Sequence, residues 1–167
     1  MQQQDIGNWR CQWRLEKREG DINACETPQD RLEWLKNTIP YEILEGEGNL
    51  LLNVGCDIIW DLVVGDSAVH FNNATATIGV GDSSTAAVAT QTDLQAAVNK
   101  LYKAMEATYP TSAAQKATFK SSFGSAEANW VWNEWVVKAT TCLNRKVEAL
   151  GTKSSGTWTL ETTITLS

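Results

Sequence analysis

A tryptophan-rich segment, NWVWNEWVVK at residues 129–138, limits the folds that this chain can adopt. Strand side chains alternate between two faces, and here both faces would be largely apolar. One face would carry Trp130, Trp132, Glu134 and Val136, and the other Val131, Asn133, Trp135 and Val137. A strand with one solvated face alternates apolar with polar residues, so this segment predicts a central strand covered on both sides. One cover would be a second sheet, and the other would be another part of the chain or another subunit.

Several further segments alternate with a period of two, which is typical of half-buried strands. The clearest are residues 157–166, with threonines on the solvated side, and residues 9–17, WRCQWRLEK. Shorter strand-like segments lie at residues 74–80, 117–123 and 145–150, between turn-forming residues. Many short strands without a regular alternation of strands and helices favour a mainly β fold, a jelly-roll-like antiparallel β-sandwich, over a parallel α/β sheet.

Two short helices are predicted beside the strands. The first begins with Thr27 as N-cap and Pro28 at the first helical position, and it ends before Pro40. The second covers residues 54–64, and its apolar stripe should lie against the sheet. Trp60 falls beside this stripe and would either widen the buried face or rest on a neighbour. The stripe consists of Val54, Ile58, Ile59, Leu62 and Val63.

The segment after strand 74–80, GDSSTAAVATQTDLQ at residues 81–95, is rich in small and turn-forming residues. This composition predicts a loop that adds little to the core except Leu94. Its GVGDSS sequence lacks the lysine of a phosphate-binding loop and the spacing of a dinucleotide fold. Asp82 and Asp93 do not have the spacing of an EF-hand calcium loop. We therefore predict no cofactor and no metal here.

The formal net charge of the 167 residues is -6, which argues against a protein that neutralises nucleic acid or an anionic membrane. No apolar run reaches the length of about 18 residues that a membrane span needs. Met1 is followed by QQQD, so a secretory signal is not predicted either. We expect no nucleic-acid partner and no membrane partner.

A charged residue, Glu134, interrupts an apolar face of the tryptophan segment and would be costly there without a partner. Arg145 or Lys146 on the next predicted strand could supply the opposite charge. We favour a structural ion pair over catalysis, because no nucleophile or histidine accompanies Glu134. The single histidine, His70, lies in a turn-like stretch, and we expect no enzymatic activity.

The four cysteines lie far apart in the sequence, with no CxxC spacing. A zinc site would require distant residues to converge, so buried thiols are the simpler interpretation. The sequence does not decide whether a disulfide such as Cys11–Cys25 forms, because connectivity cannot be read from sequence. The cysteines are Cys11, Cys25, Cys56 and Cys142.

Four segments, taken in order, resemble a group of small bacteriophage virion proteins and the related tail-collar fibre domain. They include an IGVG strand, a loop of small residues, an FGSAEAN segment and a final strand, WTLETTITL. The segments span residues 48–65, 71–94, 118–137 and 143–166. The resemblance implies a β-sandwich virion domain at residues 46–167, preceded by an N-terminal arm or added layer at residues 1–45.

The same resemblance implies a non-enzymatic structural protein that decorates or stabilises the exterior of the capsid or neck. The alternative is a tail or collar fibre component with a host-receptor or glycan-binding surface. A phage-encoded hydrolase would require clustered carboxylates. The implied partners are other capsid, neck or tail proteins and further copies of the chain, in a virion whose proteins are made in the host cytoplasm.

Eight tryptophans offer more hydrophobic surface than one sandwich needs, so we expect some of them at interfaces. Tryptophans in the first 40 residues would cover the second face of the tryptophan segment or dock on another protein. The interface candidates are Trp9, Trp13, Trp34, Trp130, Trp132 and Trp135.

Overall fold

Antiparallel strands form the framework of the chain, which is described at residues 8–67 and 69–167 in a computed structural model. Two helices, α1 (Pro28–Asn37) and α2 (Asn53–Val64), and a short 3₁₀ turn, Ile22–Ala24, accompany them. The strands are β1 (Trp9–Arg18), β2 (Glu42–Glu47), β3 (Leu50–Leu51), β4 (Thr77–Gly81), β5 (Lys100–Ala104), β6 (Thr111–Ala113), β7 (Lys116–Phe123), β8 (Val131–Lys138), β9 (Cys142–Thr152) and β10 (Thr157–Leu166).

The strands form two five-stranded sheets that pack face to face. The first sheet has the order β2-β1-β10-β7-β6, and the second has the order β3-β9-β8-β4-β5. The buried cluster between them combines Leu15 and Leu160 from the first sheet with Ile78 and Trp135 from the second. The predicted mainly β, antiparallel sandwich with two short helices is confirmed.

The N-terminal strand β1 lies inside the first sheet. It pairs with β10 from Trp9↔Leu166 to Arg18↔Thr157 on one side, and with β2 on the other. The predicted division into an arm or added layer at residues 1–45 and a sandwich at residues 46–167 therefore does not hold for β1 and β2, which are strands of the first sheet. Residues 1–7 of the predicted arm lie outside the described residues.

Strand β8, the tryptophan segment, pairs with β9 through a β-bulge. Its register with β9 shifts between Trp132 and Glu134, where the additional residues lie on β9, and the alternation of side chains along β8 changes face at the same place. Trp132 therefore joins Trp135 and Val137 in the core between the sheets, while Val136 packs in a second cluster on the outer face. The prediction that Trp132 shares a face with Glu134 and Val136 is wrong for this reason.

Helix α2 rests on β9 through a glycine. A Cβ atom built on Gly55 would lie 2.0 Å from the carbonyl oxygen of Leu143, so only glycine permits this approach. Ile58 is buried and Gly65 ends the helix in the left-handed conformation, both as predicted. Val63 was predicted in the buried stripe, but its side chain is exposed.

Replacing Gly55 with alanine should lower the free energy of unfolding by about 1–3 kcal/mol, because the methyl group would push α2 away from β9. Helix propensity alone predicts the opposite sign, since alanine stabilises a helix interior by about 1 kcal/mol relative to glycine. Urea unfolding would measure the change. Asp57→Ala, at an exposed position of the same helix, should change stability by no more than about 0.5 kcal/mol. A stabilised Gly55→Ala variant would contradict the close contact.

Candidate functional site

Glu134 and Arg145 form an ion pair in which both side chains are fully buried. Arg145 Nε donates to Glu134 Oε2 at 2.7 Å. The backbone N–H groups of Gln95 and Ala96 donate to the same carboxylate at 3.0 and 2.7 Å. Lys146, the other base considered as a partner for Glu134, donates to the backbone oxygen of Glu47 at 3.0 Å.

Arg145 also holds the loop at residues 82–99 against the outer face of the second sheet. Its guanidinium donates to the side chain of Gln91 at 2.9 Å and to the carbonyl of Thr85 at 2.8 Å. Each of the three guanidinium nitrogens thus meets an acceptor, and removal of either charged partner would leave the other buried and uncompensated. The arrangement is a structural clamp between the loop and strands β8 and β9.

A second carboxylate, Asp93, fastens the same loop. It accepts hydrogen bonds from Lys138 Nζ at 2.5 Å, from Tyr102 Oη and from the backbone of Leu94. Burial alone would raise the pKa of Asp93, but the bonds from Lys138 and Tyr102 outweigh it and hold that pKa below its usual range. Burial and the neighbouring Asp93 carboxylate raise the pKa of Tyr102.

The loop at residues 82–99 therefore covers the second apolar face of β8. Leu94 is buried against Val136 and Leu52, which lie on that outer face. Residues 1–40 or another subunit were expected to provide this cover, and the loop was expected to add little beyond Leu94. The outer face of β8 is consequently occupied by the chain itself and is closed to a partner.

Replacing Asp93 with asparagine should destabilise the protein by about 1.5–3 kcal/mol at pH 7, as expected for lost hydrogen bonds to a charged group. Because the folded-state pKa of Asp93 is depressed, its contribution is present above the unfolded value near 3.8 and is lost as the pH falls through the folded value. Urea unfolding from pH 7 to pH 3 should show the two proteins converging. Asp66→Asn, at an exposed site, is the matched control. A difference that stays constant with pH would contradict this prediction.

The six predicted interface tryptophans fall into two groups. Trp13, Trp132 and Trp135 are buried in the core between the sheets, so they are closed to partners. The remaining three are half-buried: Trp9, Trp34 and Trp130.

The most exposed tryptophan is one that the sequence did not single out as an interface residue. The side chain of Trp60 on α2 is 65% exposed, beside Val63 and Val64 at 69% and 65%. The first of the two interpretations of Trp60, that it widens the buried face of α2, is therefore wrong. The available signal was the density of apolar residues in IIWDLVV, which cover too much of the helix for one sheet to bury.

An apolar groove of about 510 Å³ lies between α2 and strands of the first sheet. We call it the α2 groove, and we call the groove together with Trp60, Val63 and Val64 the apolar end. Contiguous apolar surface of this kind is typical of binding sites. The groove is lined mainly by Trp9, Ile59, Leu62, Phe71, Phe119 and Leu166.

Acidic side chains lie along α2 and a basic one lines the α2 groove, while the depression beside the groove carries both signs, with Glu47 next to Arg10. Helix α2 and the residues after it carry Asp57, Asp61 and Asp66, whereas Lys116 lines the groove and Arg10 lines the adjoining depression. Arg10 and Lys116 flank Thr165 in one row across β1, β10 and β7. Among residues 8–67 and 69–167, none of these five charged side chains takes part in an ion pair.

The outer face of the first sheet has a different character. One row across four strands alternates in charge, and its neighbours are paired by register and by salt bridges. Charges that are matched within the chain are typical of a solvated face. The row consists of Glu45, Arg14, Glu161 and Lys120.

One buried amine lies away from both features. Lys153 Nζ donates to the carbonyl of Gly124 at 2.7 Å and to the side chain of Asn129 at 2.9 Å. Burial lowers the pKa of Lys153 to about 8. Because this side chain is only 1% exposed, it serves to tie the segment after β7 to the end of β9.

The other chemistry-bearing residues lie apart. Asp82 accepts a hydrogen bond from Asn99, His70 is exposed, and all four cysteines are free. In the described part of the chain, no group of three or more histidine, cysteine, aspartate or glutamate residues could hold a metal ion. No helix within residues 8–67 and 69–167 has the length and apolar character needed to cross a membrane.

Comparisons with protein-family models, with curated proteins and with solved structures find no match for this chain. The resemblance to bacteriophage virion proteins therefore stays a prediction from the sequence motifs. The geometry of the apolar end is the main structural guide to function.

Proposed function

We propose that this protein is a non-enzymatic structural component of a bacteriophage particle, which adds protein–protein contacts on the exterior of the capsid or at the neck. The observation that carries the proposal is the apolar end, where Trp60, Val63 and Val64 stand exposed beside the α2 groove. The sequence motifs that resemble virion proteins supply the kind of assembly. The partners are other virion proteins and further copies of the chain, and the destination is the virion.

The apolar end has the composition of a protein interface. Such interfaces combine a desolvated apolar centre with a polar rim, and tryptophan is enriched among the residues that dominate binding. Trp60 and the groove would form the centre, while the charges of Asp57 and Lys116 would lie at the rim. The protein would thus strengthen a particle by burying this surface, without any chemical step.

The alternative is a tail or collar fibre component with a receptor or glycan-binding surface. Exposed aromatic side chains in loops would favour it. In the described part of the chain, the exposed large aromatic residues are Trp60, which lies on a helix, and Tyr41, which is the one that lies in a loop. A hydrolase would need free clustered carboxylates, whereas the buried Glu106 and Glu134 each bind an arginine. These features favour the first function.

The proposal is tested by purifying virus particles from the source that encodes the chain and counting its copies by quantitative mass spectrometry. Hundreds of copies per particle would support a capsid position, and a dozen or fewer would indicate the neck, the tail or a fibre. Trp60→Glu should reduce incorporation into particles, whereas Ile39→Glu, at a site that is 87% exposed near α1, should not. Absence of the chain from purified particles would overturn the proposal.

A further inference from the structure

Helix α2 presents a projecting apolar ridge. Trp60 and Val64 lie four residues apart, and Asp57 lies three residues before Trp60, so these side chains share one side of the helix. All three are exposed. An aromatic side chain beside aliphatic ones exposes a large apolar area, and burying this area against another surface is favourable.

The same helix also borders a hollow. Ile59 and Leu62, on the neighbouring side of α2, line the α2 groove together with Phe71 and Leu166. The ridge and the groove are therefore adjacent on one surface. A two-fold axis near α2 would place the ridge of each copy in the groove of the other, which is the self-complementary arrangement of an isologous dimer.

The charges fit the same arrangement. The ridge side bears Asp57 and Asp61, and the groove side bears Lys116 and Arg10, with no ion pair for these four among residues 8–67 and 69–167. Exchange of ridge and groove between copies would bring acids of one copy towards bases of the other. Complementary charge of this kind orients two surfaces as they associate.

We infer that the α2 groove is occupied by a second copy of this chain, with Trp60 of each copy seated in the groove of its partner copy. The inference rests on the proposed function in that it names one partner for the apolar end. Residues 1–7 precede the groove residue Trp9, but Met1 and Ile6 are their only large apolar residues. Val63 and Val64 together with Trp60 offer more apolar surface than that segment.

Sedimentation equilibrium of the full chain over a concentration series tests the inference. The wild-type protein should form a dimer, and Trp60→Glu should raise its dissociation constant by about 30-fold or more, as expected for a central aromatic residue. Ile39→Glu introduces the same charge at another exposed apolar site and should leave the constant unchanged. Circular dichroism would verify that each variant is folded.

A charge exchange makes the test specific to this geometry. Asp57→Lys and Lys116→Glu should each weaken the dimer by about three- to tenfold, and the double variant should recover most of the loss. Removing residues 1–7 should leave the dimer intact. A monomeric wild-type protein at high micromolar concentration, or a dimer that Trp60→Glu does not weaken, would overturn the inference.

The result is separable from the proposed function. A chain that is monomeric in solution but present in purified particles would overturn the inference and leave the virion role standing. A chain that dimerises through Trp60 but is absent from particles would do the reverse.

Discussion

Replacing Arg145 with leucine is expected to lower the free energy of unfolding by about 3–5 kcal/mol, because it leaves the Glu134 carboxylate buried without its cation. Both side chains are fully buried, so water cannot take the place of the guanidinium. The substitution also removes the donors that hold Thr85 and Gln91. Urea unfolding would measure the loss, and faster proteolysis within residues 82–99 should accompany it.

The double variant Glu134→Leu/Arg145→Leu is the decisive control. Removing both charges should be less destabilising than removing Arg145 alone, since no unpaired charge is left in the core. Arg145→Lys should recover only part of the stability, because one ammonium group cannot reach all the acceptors that the guanidinium binds. A double variant that loses as much as the sum of the single variants would contradict the pairing argument.

Strands with one buried and one solvated face could be predicted, because their apolar and polar side chains alternate along the sequence. Both β1 and β10 show this pattern, and they pair with each other along their full lengths. The alternation does not identify the neighbouring strand, because the residues that pair in β1 and β10 lie at opposite ends of the chain. The strand at residues 9–17 was therefore predicted correctly, while its assignment to an arm was wrong.

The tryptophan segment shows a second limit. Burial on both faces could be predicted from composition, but the position of Trp132 depends on a bulge set by the register between β8 and β9. The cover on the outer face comes from residues 82–99, whose small side chains gave no hydrophobic signal. Backbone N–H groups of that loop, at Gln95 and Ala96, bind Glu134, and no sequence pattern reveals such donors.

The candidate site was only partly accessible to sequence reasoning. The ion pair of Glu134 could be predicted, since a charge on an apolar face needs a partner. Its partner Arg145 lies on the adjacent strand β9. Exposure of tryptophans is harder to predict, because it depends on which apolar surface finds cover within the fold. Trp13 is buried between the sheets, whereas Trp60 is exposed.

Replacing Trp132 with alanine is expected to lower the free energy of unfolding by about 3–5 kcal/mol, the range for loss of a large buried aromatic residue. Its ring makes edge contacts with Phe123 and Trp158, with centroids 4.8 and 5.0 Å apart. The indole N–H also donates to the carbonyl of Ala128 at 2.9 Å, and the variant would lose this buried hydrogen bond.

Trp60→Ala provides the matched control, because it deletes the same side chain from an exposed position. Its effect on monomer stability should stay within about 0.5 kcal/mol. Urea unfolding followed by far-ultraviolet circular dichroism avoids dependence on tryptophan fluorescence, and a dilute protein solution keeps self-association through Trp60 from contributing. The loss of stability for Trp132→Phe should lie between those for Trp132→Ala and Trp60→Ala. Phenylalanine retains part of the ring contacts but not the hydrogen bond. A loss below about 1 kcal/mol for Trp132→Ala would mean that Trp132 is not a principal contact between the two sheets.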